Sequence, residues 1–535
     1  MLEVTVWHNN KQQILIANEN KTVLQILQDS GVFVDAACGS GGTCGKCLVE
    51  INEVSQLACQ TMVAEGMEIV VKHFNPEELS IILESEALKC ELKPDLPLSD
   101  VKKSTKSNFG LAIDIGTTTI VFSLLDLETG QNAGSIHGIM NSQRALGADV
   151  ISRIKAANEG KLDVLNRYVV EDIRRGIYEI FDSHDPHAFF DSFDSIDNIS
   201  SVVISGNTTM LHILTGTSCQ SLGQYPFEPM FIDLQKRAFK ELFGAELFSS
   251  NRFDEKWFGE KLLSCDVTLL PGISTYVGAD IVAGISYCYS LKEEGTCLLI
   301  DLGTNGELAL FSQDTIVCTA TAAGPAFEAA NISCGTASVA GAIYEALYCP
   351  NTKTFKYQTF QNYEPIGICG SGVLDVAAQL VLHEIIDETG AMEEDFVVAS
   401  GVNGSKPVVF TQKDVRELQL AKSAVRAGIE ILLTDTGNSY DDVSKVYLAG
   451  GFGSTFNLES ALILGLLPEE WRHKIKPLSN AALKGTEQAL VDPSALERIL
   501  SISSKAKEIN LSVHTQFNDL FMDHMMFENA TCRGI

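Results

Sequence analysis

The chain is short of positive charge. Its 535 residues hold 39 Lys and Arg against 69 Asp and Glu, a formal net charge of −30. A surface that negative repels phosphate backbones, so no nucleic-acid partner is expected. The same repulsion argues against an anionic membrane surface. Long apolar runs are missing too: no stretch approaches the ~18 residues of a membrane span. The opening MLEVTVWHNNKQQILIANEN lacks the basic-then-apolar order of a secretory leader. The expected compartment is the cytoplasm. Neither a G-x4-G-K-[ST] loop nor a complete G-x-G-x-x-G fingerprint occurs, so P-loop and Rossmann readings lose ground.

Cysteine, by contrast, is plentiful. A disulfide framework does not suit fourteen cysteines in a reducing compartment. Most of those outside one cluster are expected in the core, since an unpaired cysteine behaves as a small hydrophobe. The length suggests about three domains at the usual ~100–200 residues each. With 45% hydrophobic residues the chain can build a real core.

The cysteine cluster reads CGSGGTCGKC over 38–47, followed by LACQT. Cys38, Cys44 and Cys47 are spaced C-x5-C-x2-C, and an eleven-residue gap precedes Cys59. A [2Fe–2S] cluster needs four thiolates. Glycines 39, 41, 42 and 45 let the chain curl around it and aim N–H groups at sulfur. Structural zinc is the main rival, but zinc ligands usually come as two separated C-x2-C knuckles. Cys59 is the least secure ligand, and Cys90 is its nearest substitute. Around the cluster, LEVTV and QILIA alternate as a hairpin across Asn9-Asn10. TVLQILQDSG then follows as a helix with Val23, Leu24, Ile26 and Leu27 on one face, and LVEI as a strand. This order resembles the β-grasp ferredoxins. The five-residue first gap is closer to the adrenodoxin type than to the plant type, and the short gap before Cys59 predicts a trimmed hairpin.

Residues 91–107, ELKPDLPLSDVKKSTKS, show no periodic apolar pattern and read as a linker. Extended, it would reach ~55–60 Å. It is either an inert connector or a tether on which the cluster swings between donor and acceptor.

Beyond it, LAIDIGTTTIVFSLLD and LLIDLGTNGELALFSQD share one plan: an apolar strand, an Asp, a glycine turn with Thr, a second strand. Asp114 and Asp301 lie 187 positions apart, which points to an internal duplication and two related lobes. An Asp at a strand end suits Mg²⁺ or its water shell. The glycine lets backbone approach a phosphate, and Thr hydroxyls and turn N–H groups donate to it. A third segment, VYLAGGFGSTFN, runs a strand into Gly450, Gly451 and Gly453, where a purine and ribose could lie flat. GICGSGVLD opens a helix either for nucleotide contact or for close packing. SGNTTM is either phosphate-facing or a helix cap at Asn207 or Thr208. Glu328 in TAAGPAFEA is a candidate water-orienting carboxylate.

This order of motifs resembles the superfamily of acetate and sugar kinases, heat-shock chaperone ATPases and actin. The resemblance implies two ribonuclease-H-like lobes with ATP in the cleft. VGADIVAGISYC and NAALKGTEQAL match its connecting helices. It implies Asp114 and Asp301 as catalytic residues near Mg²⁺ and the attacking water. It implies Gly116, Thr117, Thr118, Thr119, Gly303, Thr304, Asn305 and Gly306 as phosphate-holding, with Gly450, Gly451 and Gly453 at the adenosine. The expected organisation is an α/β multidomain chain. Residues 1–90 form the ferredoxin-like domain, 91–107 the linker and 108–535 the ATPase domain. Its lobes span about 108–290 and 291–500, with a tail over 501–535.

Taken together, CGSGGTCGKC, LACQT, LAIDIGTTT, SGNTTMLHILTG, GADIVAGI, IDLGTNGE, TAAGPAFEA, GICGSGVLD and LAGGFGS resemble the reductive activators of corrinoid-dependent enzymes. That resemblance implies ATP-driven transfer of one electron from a low-potential donor, through the cluster, to a Co(II) corrinoid on a partner protein of a methyltransferase system. It also implies a homodimer through the ATPase domain. The small domain that some members place after the linker is not expected, because Leu111 follows directly. The tail, with Cys532 alone, cannot carry the four-iron cluster of other activators. Asp185-Pro-His187 is an incomplete trace of the corrinoid-binding D-x-H-x-x-G signature. The alternatives are an activator of another low-potential enzyme such as a radical dehydratase, an electron carrier on a non-hydrolysing nucleotide scaffold, or a small-molecule kinase.

Overall fold

The computed structural model describes residues 2–8, 11–17, 20–30, 32, 34, 47–52, 54–71, 108–134, 136–181, 196, 198–244, 260–303, 305–329, 331–401, 406–450 and 456–527. The linker over 91–107, Cys38, Cys44, Cys90, His187, Thr304, Gly451, Gly453 and Cys532 lie outside the described residues.

The N-terminal module begins with β1 (Leu2–His8) and β2 (Lys11–Ala17), paired antiparallel from Leu2↔Ala17 to His8↔Lys11. Helix α1 (Val23–Asp29) follows, started by a capping box. The Gln25 amide N–H donates to Thr22 Oγ1, and the Gln25 side-chain oxygen accepts from the Thr22 N–H. Strands β3 (Leu48–Ile51), β4 (Val54–Leu57) and β5 (Glu68–Val70) complete a sheet of order β2-β1-β5-β3-β4. Val4, Val6, Val49 and Ile69 from the sheet pack on Val23, Leu24 and Leu27 of α1, giving the module its own core.

The first lobe opens with β6 (Phe109–Ile115), β7 (Thr119–Asp126) and β8 (His137–Met140), an antiparallel meander. Helices α2 (Val150–Ala156) and α3 (Leu162–Phe181) cover one face. Then come β9 (Ile199–Gly206), α4 (Thr208–Leu214), β10 (Gln235–Ala238), β11 (Asp266–Leu269) and α5 (Ala279–Ser290). The second lobe repeats the meander as β12 (Thr296–Leu302), β13 (Gly306–Phe311) and β14 (Ile316–Thr321). It adds a small sheet of β15 (Ala342–Cys349), β16 (Thr354–Thr359) and β17 (Gly367–Ile368). Helix α6 (Gly370–Leu382), the hairpin β18 (Phe396–Ala399) and β19 (Val408–Phe410), and helix α7 (Gln412–Thr436) lead to β20 (Val443–Gly450) and β21 (Ile475–Pro477).

The duplication read from the two Asp-glycine segments is visible in the sheets. One has order β10-β11-β9-β6-β7-β8; the other runs β21-β20-β12-β13-β14 and ends in β22 (Lys507–Glu508). In each, the meander's first strand has a parallel neighbour: β9 beside β6, β20 beside β12. The chain then returns to the first lobe. Helix α8 (Ala481–Val491) packs on α5, β6 and β9, close enough that a Cβ at Gly485 would lie 2.0 Å from the Ala283 carbonyl oxygen. Helix α9 (Pro493–Lys505) follows it, so residues read as tail begin inside a helix. Among the described residues no helix is long and apolar enough to cross a membrane.

Candidate iron–sulfur ligands and nucleotide cleft

The β3–β4 hairpin turns at Asn52, whose φ of +47° suits Asn in a tight turn. Leu48 pairs with Leu57, and one step further the Ala58 N–H donates to the Cys47 carbonyl at 2.8 Å. Cys47 therefore sits across from Ala58 and next to Cys59, and the expected trimmed hairpin is what closes the eleven-residue gap. Both side chains are buried at the edge of the module's core. The Gln60 side-chain amide donates to Cys59 Sγ at 3.7 Å, the kind of contact that tunes a bound thiolate. Two thiols brought together at one end of a hairpin fit half of a two-iron ligand set. Most described cysteines beyond the module behave as core: Cys219, Cys265, Cys288, Cys297, Cys318 and Cys369 are buried, while Cys334 and Cys349 are half-buried. Burial pushes the Cys219 thiol up to about 12 and the Cys265 and Cys297 thiols up to about 11, which makes them poor nucleophiles at neutral pH.

In the two-lobed region the strand-end aspartates lie near enough for Asp114 to perturb Asp301. Asp114 is the buried one, held by Ser205 Oγ at 3.1 Å and Asn480 Nδ2 at 2.8 Å. Ser205 is its register partner on β9, and Asn480 caps α8. Thr486 on α8 donates in turn to Ser205 at 2.8 Å. Burial raises the Asp114 carboxyl above the usual range, and the two hydrogen bonds pull it partly back. Asp301 is pushed up to about 7, by burial first and then by Asp114. Asp280, in the first turn of α5, also reaches about 7 through burial, Asp114 and Asp301. Glu307 lies directly across from Asp301 in the β12–β13 pair. It is raised well above its ordinary value by burial, Asp280 and Asp301. Like charges opposite one another in a sheet are unfavourable. Four crowded carboxylates with raised affinities for a proton are the chemistry of a site that expects external positive charge.

Among the described residues no three His, Cys, Asp or Glu side chains form a ready cage. The glycines at the two strand ends allow close backbone approach within the protein itself. Gly450 has φ +99°, and a Cβ there would lie 2.3 Å from the Leu302 carbonyl oxygen and 2.7 Å from Asp301 Oδ1. Gly450, the first glycine of the third segment, thus lies against the second Asp. At Gly116 a Cβ would meet the Thr119 carbonyl oxygen at 2.7 Å, and the Gly116 N–H donates to that oxygen. In the other lobe Gly303 N–H donates to Asn305, giving a matching tight turn.

The first turn is anchored from behind. Asn141 Nδ2 donates to the Gly116 carbonyl at 2.9 Å, and the Asn141 N–H to the Thr118 carbonyl at 2.9 Å. The buried Arg153 donates to the Thr117 carbonyl, to Gln143 Oε1 at 3.1 Å and to the Gly147 carbonyl at 2.9 Å. Burial, with Arg144 nearby, lowers its guanidinium to about 9 against the pull of Asp149, Glu328 and Asp172. From the second lobe, Glu328 Oε1 accepts from Thr118 Oγ1 at 3.1 Å. Glu328 therefore reaches the turn that holds Thr118. Asn207 is a helix cap, accepting from Thr209 N–H at 3.0 Å, as one of its two readings held. Gly372 in GICGSG answers to packing: a Cβ would lie 2.2 Å from the Ile343 carbonyl oxygen.

Sequence reasoning gave no role to Asp280, Glu307, Asn480, Asn141 or Arg153. The first two carried a usable signal: Asp280 is an acid opening an otherwise apolar helix, and Glu307 an acid inside a strand pattern.

Comparison with known proteins matches three family models. The "2Fe-2S iron-sulfur cluster binding domain" covers 7–66, the "RACo middle region" 109–293, and the "C-terminal domain of RACo the ASKHA domain" 295–533. The corrinoid activation enzyme RamQ of Eubacterium limosum is 28% identical, over 97% of this chain and 98% of its own. The [Co(II) methylated amine-specific corrinoid protein] reductase of Methanosarcina barkeri is 26% identical over 78% of this chain and 77% of its own. A solved reductive activator for corrinoid, iron-sulfur protein superposes with a TM-score of 0.68 at 26% identity, covering 98% of both chains.

Proposed function

This chain belongs to the family of reductive activators of corrinoid-dependent enzymes, and on that premise we propose that it returns a partner's corrinoid cobalt from Co(II) to Co(I) at the expense of ATP. One electron enters from a low-potential donor and one leaves to cobalt. The partner is a corrinoid protein of a methyltransferase system, where the strongly reducing Co(I) form is lost by stray oxidation. A [2Fe–2S] cluster held by Cys38, Cys44, Cys47 and Cys59 supplies the one-electron carrier when bound.

The observation that carries the reading is the pair of Asp-glycine hairpins whose carboxylates, Asp114 and Asp301, act on one another, on the same chain as a module that sets Cys47 beside Cys59. Asp114 and Asp301 would hold Mg²⁺ directly or through water, offsetting the crowding of Asp280 and Glu307. Gly116 to Thr119 and Gly303 to Gly306 would cradle phosphates, and Gly450, Gly451 and Gly453 the adenosine. Glu328 and Thr118 bridge the lobes, so occupancy of the cleft would alter how the lobes meet. Each ~59 mV of unfavourable one-electron potential costs tenfold in equilibrium. Hydrolysis offsets that only through states that differ between nucleotides. A homodimer through the ATPase domain is the assembly we propose, to be read by its mass in solution.

The test mixes the reduced full chain with a Co(II) corrinoid protein and follows cobalt absorbance with and without ATP. The expected result is Co(I) formation that requires ATP and fails in Asp301→Ala. Equal reduction without nucleotide would refute the coupling.

A further inference from the structure

Helix α1 of the cysteine-bearing module is short and faces solvent with Gln25, yet its Gln28 is buried at 5% exposure. The cover comes from the other domain. Gln28 Nε2 donates to the carbonyl of Ala145, at the end of the 3-10 turn Ser142–Ala145 in the first lobe. A second observation places the same face there. The Tyr168 phenol on α3 is raised mainly by burial, and Asp29 is among the acids that add to it. Two neighbouring residues of α1 thus bear on two elements of the first lobe.

The turn they meet is the one that supports the phosphate loop. Asn141 caps it, with Oδ1 accepting from the Gln143 N–H at 3.0 Å. The same Asn141 binds the carbonyls of Gly116 and Thr118, while Arg153 joins Gln143 to the carbonyl of Thr117. All three carbonyls of the phosphate turn are therefore tied into the residues that carry Ala145. On the module's side, α1 ends nine positions before Cys38.

We propose that Gln28 and the Asn141–Ala145 turn form a dock through which the seating of the N-terminal module reads the state of the phosphate turn 116–118. It rests on the nucleotide reading above. A phosphate gripped by that turn draws Gly116, Thr117 and Thr118 toward the cleft. Asn141 and Gln143 follow, and the Ala145 carbonyl withdraws from Gln28. Nucleotide thus loosens the dock, and the module that carries the cluster is released when the ATPase is charged. Linkage is reciprocal: a nucleotide that loosens the dock binds more tightly when the dock is already broken.

Amide hydrogen exchange on the full, iron-loaded chain reads the dock directly. With a non-hydrolysable ATP analogue and Mg²⁺, exchange over 24–34 and 141–147 should speed up together, by about threefold or more. Gln28→Ala should show the fast rate over 24–34 without nucleotide, add nothing on its addition, and bind the analogue more tightly by a similar factor. Its two-iron absorption reports that the module is still folded. Analogue binding that leaves 24–34 unchanged in the unaltered protein overturns the dock alone. So does a Gln28→Ala chain that responds as the unaltered one does. Absence of analogue binding by calorimetry overturns the nucleotide reading and the dock with it, and the binding measurement tells the two failures apart.

Discussion

Asp301→Asn should remove activity and stabilise the protein in one step. The carboxyl of Asp301 sits at about 7 in the fold against 3.8 when free, a shift of about three units. At ~1.36 kcal/mol per unit, ionising it in the nucleotide-free fold costs about 4 kcal/mol at pH 8. Asp301 keeps partial exposure, so solvent screening brings the realised gain of the amide to about 1–3 kcal/mol. The sign follows from proton uptake. The folded state holds a proton that the unfolded state has lost, so this contribution to stability is full below pH 3.8 and disappears as pH rises through about 7. The advantage of Asn over Asp is therefore greatest at pH 8 and shrinks toward pH 4. Thermal melts of the nucleotide-free protein at pH 8, 6 and 5 measure this, alongside ATP turnover. The reasoning fails if Asp301→Asn is less stable than the parent at pH 8, or if the difference grows on acidification. Mg²⁺ with nucleotide should erase the advantage, because the ionised Asp then has its counter-charge.

Gly450→Ala places a methyl 2.3 Å from the Leu302 carbonyl oxygen at a φ of +99°, so β20 must shift off β12. The expected result is nucleotide affinity reduced at least ~10-fold, about 1.4 kcal/mol, measured by calorimetry with the two-iron spectrum unchanged. Cys59→Ser should lose the visible absorption of the cluster while the ATP analogue still binds. A chain that keeps its full spectrum would exclude Cys59 as a ligand and turn attention to Cys90.

Much of this was readable in the chain. Asp114 and Asp301 stood out because a duplicated β-hairpin leaves the same short string twice, and the two sheets repeat one another around those strings. Cys47 and Cys59 were readable because a hairpin between them is a local event. The residues behind the 116–118 turn were not. Arg153 lies in VISRIKA, a pattern that any surface helix shows, and only the fold reveals that its guanidinium is buried against the Thr117 carbonyl. Asn480 reaches Asp114 across 366 positions, a pairing no local periodicity encodes. Gln28 falls outside the apolar set Val23, Leu24, Ile26 and Leu27, and its burial depends on a different domain.

The return of α8 into the first lobe sets a timetable for synthesis. Asp114 waits 366 residues for its Asn480 partner, about 20–70 s at ~5–20 residues per second on the ribosome. The N-terminal module, whose core among the described residues runs from Val4 to Val71, needs none of that delay. Iron can thus be loaded into a finished module while both lobes still hang open as half-built sheets. A cell short of chaperones should accumulate exactly that species: a red, metal-charged head on an unfolded motor.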